Sequence, residues 1–332
     1  MAVFHKIGVL TSGGDAPGMN AAIKAVVDRA YEMNIEVVGI VGGYSGLMAE
    51  PEPELESITP HTVANIIGQG GTILYSSRCL EFATPEGVAK AVRACKKVGI
   101  DALICIGGDG TYGGAYDMTK AGIPCIGLPG TIDNDISATD YTIGFDTALN
   151  TTVDLIDHLR DTCESHARLN VVEVMGRNAG HLALYVGLAA GATSVLVPEK
   201  KLDFEHDVID CIRGARLSGK THYMIIVAEG AGSAIEIGKQ IHETIGLDPR
   251  VTILGHIQRG GTPTARDRVM ATRMGYHSVK VLAEGGTNRL ICSQQGSMVD
   301  IDLEEGLAMK KGLNAQQYEV LQAMTGLEIE GL

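Results

Sequence analysis

Three glycine- and aspartate-rich segments hold the side chains of this sequence best suited to chemistry on phosphate groups. In ALICIGGDGTYGGA (102–115) an apolar run delivers Gly107-Gly108-Asp109-Gly110-Thr111, with Gly113 and Gly114 following. Five glycines around one aspartate weaken the chain locally unless backbone has to close around a ligand. An aspartate among phosphate-facing amides suits Mg2+, which takes a few carboxylates together with phosphate oxygens. In GLPGTIDNDI (127–136) Asp133 and Asp135 flank Asn134. In extended backbone residues i and i+2 share a face, so one carboxylate could hold metal while the other acts as base. In IGVLTSGGDAPGMNAAIKAVV (7–27) an apolar run ends at Thr11-Ser12-Gly13-Gly14, and a helix is expected to begin near residues 17–20, its N-terminus favourable to an anion. Taken singly, a structural βα turn accounts for this last segment equally well, and an Asx-rich turn for TIDND. The 7–27 segment has neither the P-loop GxxxxGK[ST] nor the dinucleotide GxGxxG spacing. Three consecutive strand ends of this kind, without a Ser–His or Cys–His pattern, point to phosphoryl transfer.

These segments need strands to deliver them and helices to follow. Short apolar runs at 6–10, 36–41, 102–106, 125–128, 171–174 and 223–228 read as buried parallel strands, and amphipathic stretches at 20–33, 85–98 and 148–162 as helices. The alternation predicts an α/β protein built on parallel sheets, with ligands gathered at the carboxyl ends of the strands. No Pro/Ser-rich linker divides the chain, so a second domain is expected to be entered and left through short connections, with late segments returning to the first. Glu50 to Glu56, EPEPELE, reads as a solvated acidic loop.

Composition narrows the function classes. The chain has 332 residues, 43 of them glycine, well above the usual ~7%. With 27 Lys+Arg against 40 Asp+Glu the formal charge is −13, which argues against nucleic acid and against a basic membrane-surface role. Trp is absent and aromatics are 4%, so base-stacking platforms are not expected. No apolar run is long enough to span a membrane, and the N-terminal MAVFHKIGVLTSGGD turns polar too early for a signal peptide. Seven scattered cysteines without a CxxC pair read as reduced thiols of a cytoplasmic protein with no zinc site.

The segments GVLTSGGDAPGMNAAI, GGTILYSSRC, IGGDGTYGGA, PGTIDNDI, GFDTALN, EVMGRNAGH and LGHIQRGGTPTARDR, in this order, resemble the phosphofructokinase family in its bacterial ATP-dependent form. The similarity runs from about Ile7 to Asp302. The resemblance implies two interleaved, Rossmann-like three-layer α/β/α domains: an ATP-binding domain at 1–144 plus about 258–308, and a fructose-6-phosphate-binding domain at about 145–257 plus 309–332. It also implies transfer of the ATP γ-phosphoryl group to the 1-hydroxyl of fructose 6-phosphate, with Mg2+, by a homotetramer whose active sites are shared between subunits.

Carried over residue by residue, the resemblance makes Asp133 the general base, with Thr131 and Arg177 beside the transferring group. Asp109 and Asp135 match the magnesium side. Gly14, Arg78, Cys79, Gly110, Thr111 and Gly114 match the ATP positions. Met175, Gly176, Glu229, His256 and Arg259 match the sugar-phosphate positions, which Thr131, Asp133 and Arg177 also touch, and Arg168 and Arg250 match arginines donated across a subunit interface. Pyrophosphate-dependent relatives carry Asp where this chain has Gly110 and Lys where it has Thr131, so the ATP type is expected. Lys24, Arg160, Lys220 and His222 match an anionic effector site. Asp28 stands there where a basic residue is expected and Thr193 where the family has glutamate, so allosteric control is expected to be weakened or altered. A pyrophosphate-dependent enzyme, another GGDG kinase such as the NAD or diacylglycerol kinases, and a non-catalytic nucleotide- or sugar-phosphate-binding protein are the competing readings. The GGDG kinases share only Gly107 to Thr111, and a pure binder needs no general base.

Overall fold

The computed structural model describes residues 4–325. Its strands are β1 Lys6–Thr11, β2 Glu36–Ile40, β3 Leu55–Ser57, β4 Ala102–Gly107, β5 Cys125–Thr131, β6 Ile143–Gly144, β7 Leu169–Val174, β8 Ser194–Leu196, β9 Tyr223–Ala228, β10 Arg250–Ile253, β11 Arg289–Gln294 and β12 Ser297–Asp302. The chain divides into two compact units. One takes the chain up to Ile132, with Ile136–Thr147 and Arg259–Lys311; the other takes Asp133–Asp135, Ala148–Gln258 and the chain from Gly312 on.

The first unit is built on an eight-stranded sheet in the order β12-β11-β5-β4-β1-β2-β3, with β6 paired to β5. Its centre is parallel and its strands are apolar without alternation, as sheets covered on both faces require. All six residues of β4 are buried. One side of the sheet packs a core that includes Leu10, Leu103, Tyr112, Met118 and Leu290. The edges depart from the all-parallel expectation: β2–β3 and β11–β12 are antiparallel. The acidic segment is correspondingly not a free loop. Leu55–Ser57 forms the edge strand β3. Glu50 pairs with Lys90 at 3.0 Å and Glu52 with Lys97 at 2.6 Å, both on the helix Pro85–Val98.

The GFDTALN and TPTARDR segments meet on Asp267, whose side chain is fully buried. Its carboxylate accepts from the Tyr141 hydroxyl, the Gly144 N–H, and the Thr147 N–H and hydroxyl, at 2.5–2.8 Å. Burial pushes this carboxyl up, and the donors oppose that shift.

The second unit carries a four-stranded parallel sheet in the order β10-β7-β9-β8. Val171, Ile225 and Val227 of the sheet pack with Val208, Ile212, Ile237 and Ile241 from the helical layer. β10 is an edge strand, with Val251 37% and Ile253 50% exposed. No helix among the described residues is long and apolar enough to cross a membrane.

Candidate active site

In the first unit Gly14, Gly110 and Thr111 lie just past the carboxyl ends of β1 and β4, which pair directly. The loop before Arg78 is stitched to the end of β1. Asn20, buried at the start of the helix Met19–Glu32, donates to the carbonyls of Gln69 and Gly70 and accepts from the Ile73 N–H. Farther along, the Thr11 hydroxyl donates to the Tyr75 carbonyl at 2.7 Å, and the Ser76 hydroxyl to that of Gly13 at 2.7 Å. The polar residues of TSGGD and GMNAAI thereby fix where Arg78 emerges. Arg78 is exposed, and Cys79 is half-buried.

Asp109 opens the helix Asp109–Lys120 and is exposed. A Cβ at Gly108, Gly110 or Gly113 would meet no atom within 4 Å, so protein packing does not demand glycine there. Thr111 is different: it is buried, and its hydroxyl donates to the Ser12 carbonyl at 3.1 Å, tying this helix to β1. Gly114 is different too. A Cβ there would sit 2.5 Å from the Phe82 ring and 2.9 Å from that of Tyr44. The two rings stack at 3.9 Å and 5°. Packing by itself therefore requires glycine at this position, which the resemblance matches to ATP binding.

Tyr44 and Phe82 were not singled out from sequence. The Tyr44 hydroxyl donates to the Thr111 carbonyl, and burial pushes its phenol well up, so it stays neutral. The available signal was Tyr44 itself, directly after Gly42-Gly43 at a strand end in a chain with few aromatics. Arg259 also lies in this unit: its guanidinium donates to the Asp15 carbonyl at 3.1 Å and packs on Gly14.

Thr131 ends β5 and is buried, its carbonyl accepting from the Thr142 hydroxyl. The TIDND segment that follows is not extended. Asn134 is left-handed, with φ +50°, so the two-residue alternation that would place Asp133 and Asp135 on one face does not hold. Asp133 is 2% exposed, whereas Asp135 is half-buried. Among the described residues no group of three or more His, Cys, Asp or Glu could hold a metal ion. An exposed Asp109 beside open space fits Mg2+ that arrives with phosphate oxygens, the mode in which the protein supplies one or two carboxylates.

In the second unit β7 and β9 run side by side, Val174 opposite Ala228. Their carboxyl ends bring Met175, Gly176 and Arg177 next to Glu229. The Glu229 carboxylate accepts from the Gly176 N–H at 3.2 Å and the Arg177 N–H at 2.7 Å. Buried Gln258 accepts from the Met175 N–H at 3.2 Å and donates to the Gly255 carbonyl, folding the loop that carries exposed His256 just past β10.

Arg168 and Arg250 are not at this edge. Arg168 directly precedes β7, and Arg250 begins β10 opposite Asn170. Six residues of strand, roughly 20 Å, separate them from Arg177 along the sheet. Three of the four sequence-predicted effector residues lie beside carboxylates of their own unit. Lys24 lies 2.5 Å from Asp28, Arg160 3.7 Å from Asp157 and His222 3.4 Å from Glu164, while Lys220 is exposed.

The phosphofructokinase family model matches residues 6–282. An ATP-dependent 6-phosphofructokinase of Bacillus mycoides is 52% identical over 320 residues, covering 96% of this chain and 99% of its own. The structure of phosphofructokinase from Saccharomyces cerevisiae matches with TM-score 0.84 and 34% identity over 97% of this chain. It covers 47% of that chain, so this one spans about half its length. A pyrophosphate-dependent phosphofructokinase from Marinobacter aquaeolei, 21% identical over 97% of this chain and 92% of its own, shares the fold with TM-score 0.81.

Proposed function

The chain belongs to the phosphofructokinase family, and on that footing we propose that it transfers the γ-phosphoryl group of ATP to the 1-hydroxyl of fructose 6-phosphate, giving fructose 1,6-bisphosphate and ADP. The observation that carries the reading is the near-full-length similarity to an ATP-dependent 6-phosphofructokinase. The open space at Gly108, Gly110 and Gly113 supports it, because an Asp at position 110 would crowd and repel a nucleotide's α-phosphate where glycine leaves room.

In this reading the first unit holds ATP with the loop ends around Gly14, Arg78, Cys79, Gly110 and Thr111. Asp109 holds Mg2+, which when bound neutralises phosphate charge. The second unit holds the sugar phosphate with Met175, Gly176, Glu229 and His256. Asp133 takes the proton from the 1-hydroxyl as its oxygen attacks the γ-phosphorus, the bond to the bridging oxygen of ADP breaks, and Arg177 stabilises the developing charge. Replacing Asp133 by Ser is expected to leave fructose 6-phosphate binding largely intact and to cut turnover by about 10²–10⁴. Unchanged turnover would refute the assignment.

The reading extends to a homotetramer. Arg168 and Arg250 sit at the amino ends of their strands, away from Arg177, which supports a role toward another subunit's sugar phosphate. The exposed apolar face of β10 beside Arg250 supports an interface there. The free cysteines, six of seven buried, go with a reducing, cytoplasmic setting. Regulation by anionic effectors is read as weak, because Asp28 and Thr193 stand where the resemblance expects a basic residue and a glutamate, and Lys24 already pairs with Asp28.

A further inference from the structure

Arg177 is one of seven non-glycine residues with positive φ among the described residues, at +53°, and it follows Gly176 at +142°. An L-residue in the left-handed region is strained, so something must hold it there. Two features of the facing strand end do so. The Glu229 carboxylate Oε1 takes both the Gly176 and Arg177 N–H groups. Beside it, a Cβ on Gly230 would lie 2.2 Å from the Arg177 carbonyl oxygen, so the missing side chain is the space into which that carbonyl fits. Gly230 is not itself in the left-handed region, so close approach, not backbone freedom, is what requires glycine there. Register makes the match possible: Val174 and Ala228 are directly opposite, and both segments leave the sheet together.

We propose that Glu229 and Gly230 form a positioning device for Arg177, gripping the backbone on both sides of the residue so that its guanidinium leaves the chain in one fixed direction. Glu229 then acts on the reaction through Arg177. This goes beyond the role of sugar-phosphate ligand that the resemblance gives it.

Because this rests on the phosphoryl-transfer reading, wild-type turnover with ATP and fructose 6-phosphate is the control; an inactive wild type would refute that reading and leave the device to be judged by amide exchange. With activity present, Glu229→Ala and Gly230→Ala are each expected to lower kcat by about tenfold or more, with a smaller change in KM for fructose 6-phosphate, as a misplaced catalytic group does. Glu229→Gln keeps an acceptor oxygen and is expected to recover most of that loss. In an Arg177→Ala background the Glu229→Ala change is expected to cost less than about twofold in kcat, since the group it positions is gone. Independently of activity, exchange at the Gly176 and Arg177 amides is expected to speed up about tenfold in Glu229→Ala and to return toward wild type in Glu229→Gln. Losses that multiply in the double variant, a KM effect without a kcat effect, or unchanged exchange at both amides would overturn the proposal.

Discussion

The guanidinium of Arg259 occupies the ground that a side chain on Gly14 would need: an ideal Cβ there lies 2.5 Å from Nη1. The same guanidinium donates to the carbonyl of Asp15. Glycine at position 14 thus lets an arginine from the GHIQRGG segment lie on the first strand end.

Gly14→Ala forces that arginine off the Asp15 carbonyl. The clash is with the far end of a flexible side chain, so the fold is expected to survive with little change in melting temperature. A hydrogen bond from a charged donor is worth about 1.5–3 kcal/mol. KM for ATP is therefore expected to rise about tenfold, and steady-state kinetics with ATP varied will show it. An unchanged KM would mean that Arg259 does not organise the nucleotide loop.

The thiols separate cleanly by burial. Burial pushes Cys95 and Cys292 up to about 12 and Cys211 up to about 11, so at pH 8 these remain protonated and slow. Cys79 alone is half-buried, and it follows Arg78 on the proposed nucleotide loop. Titration of the native protein with a disulfide reagent is expected to give one fast thiol, slowed by ATP and removed by Cys79→Ala. All seven cysteines should react after denaturation. Equal labelling with and without ATP would place the nucleotide away from Cys79.

Much of this was legible in the sequence, for physical reasons that also mark where legibility stopped. Buried parallel strands such as ALICIG and YMIIVA are apolar without interruption, so they stand out in a linear reading. β3 and β10 do not, because edge strands bury little: β10 reads exposed, exposed, half-buried, exposed. Which way Asp133 and Asp135 face was not legible, because the two-residue rule assumes extended backbone and Asn134 is left-handed. What Gly114 and Gly230 make room for, an aromatic stack and a carbonyl, was not legible, since each comes from a segment distant in the chain. The same holds for Arg177, whose backbone depends on a carboxylate 52 residues away.

Pairing of the sequence-predicted effector cations makes a kinetic prediction. Lys24 is tied to Asp28 one helical turn on, and this replaces a free cation with a near-neutral pair. Phosphoenolpyruvate and ADP at millimolar concentrations are expected to change the fructose 6-phosphate dependence by less than about twofold. Asp28→Ala frees Lys24 and is expected to increase sensitivity to anions, by a modest factor because exposed pairs contribute only about 0–1 kcal/mol. Strong, tight phosphoenolpyruvate inhibition of the wild type would contradict the reading.

Donor choice bears most directly on the proposed reaction. A coupled assay that follows fructose 1,6-bisphosphate formation from fructose 6-phosphate and Mg2+ should be run with ATP and, separately, with pyrophosphate. Turnover with ATP and none above background with pyrophosphate is the expected result. Turnover with pyrophosphate alone, or with neither donor, would contradict the account.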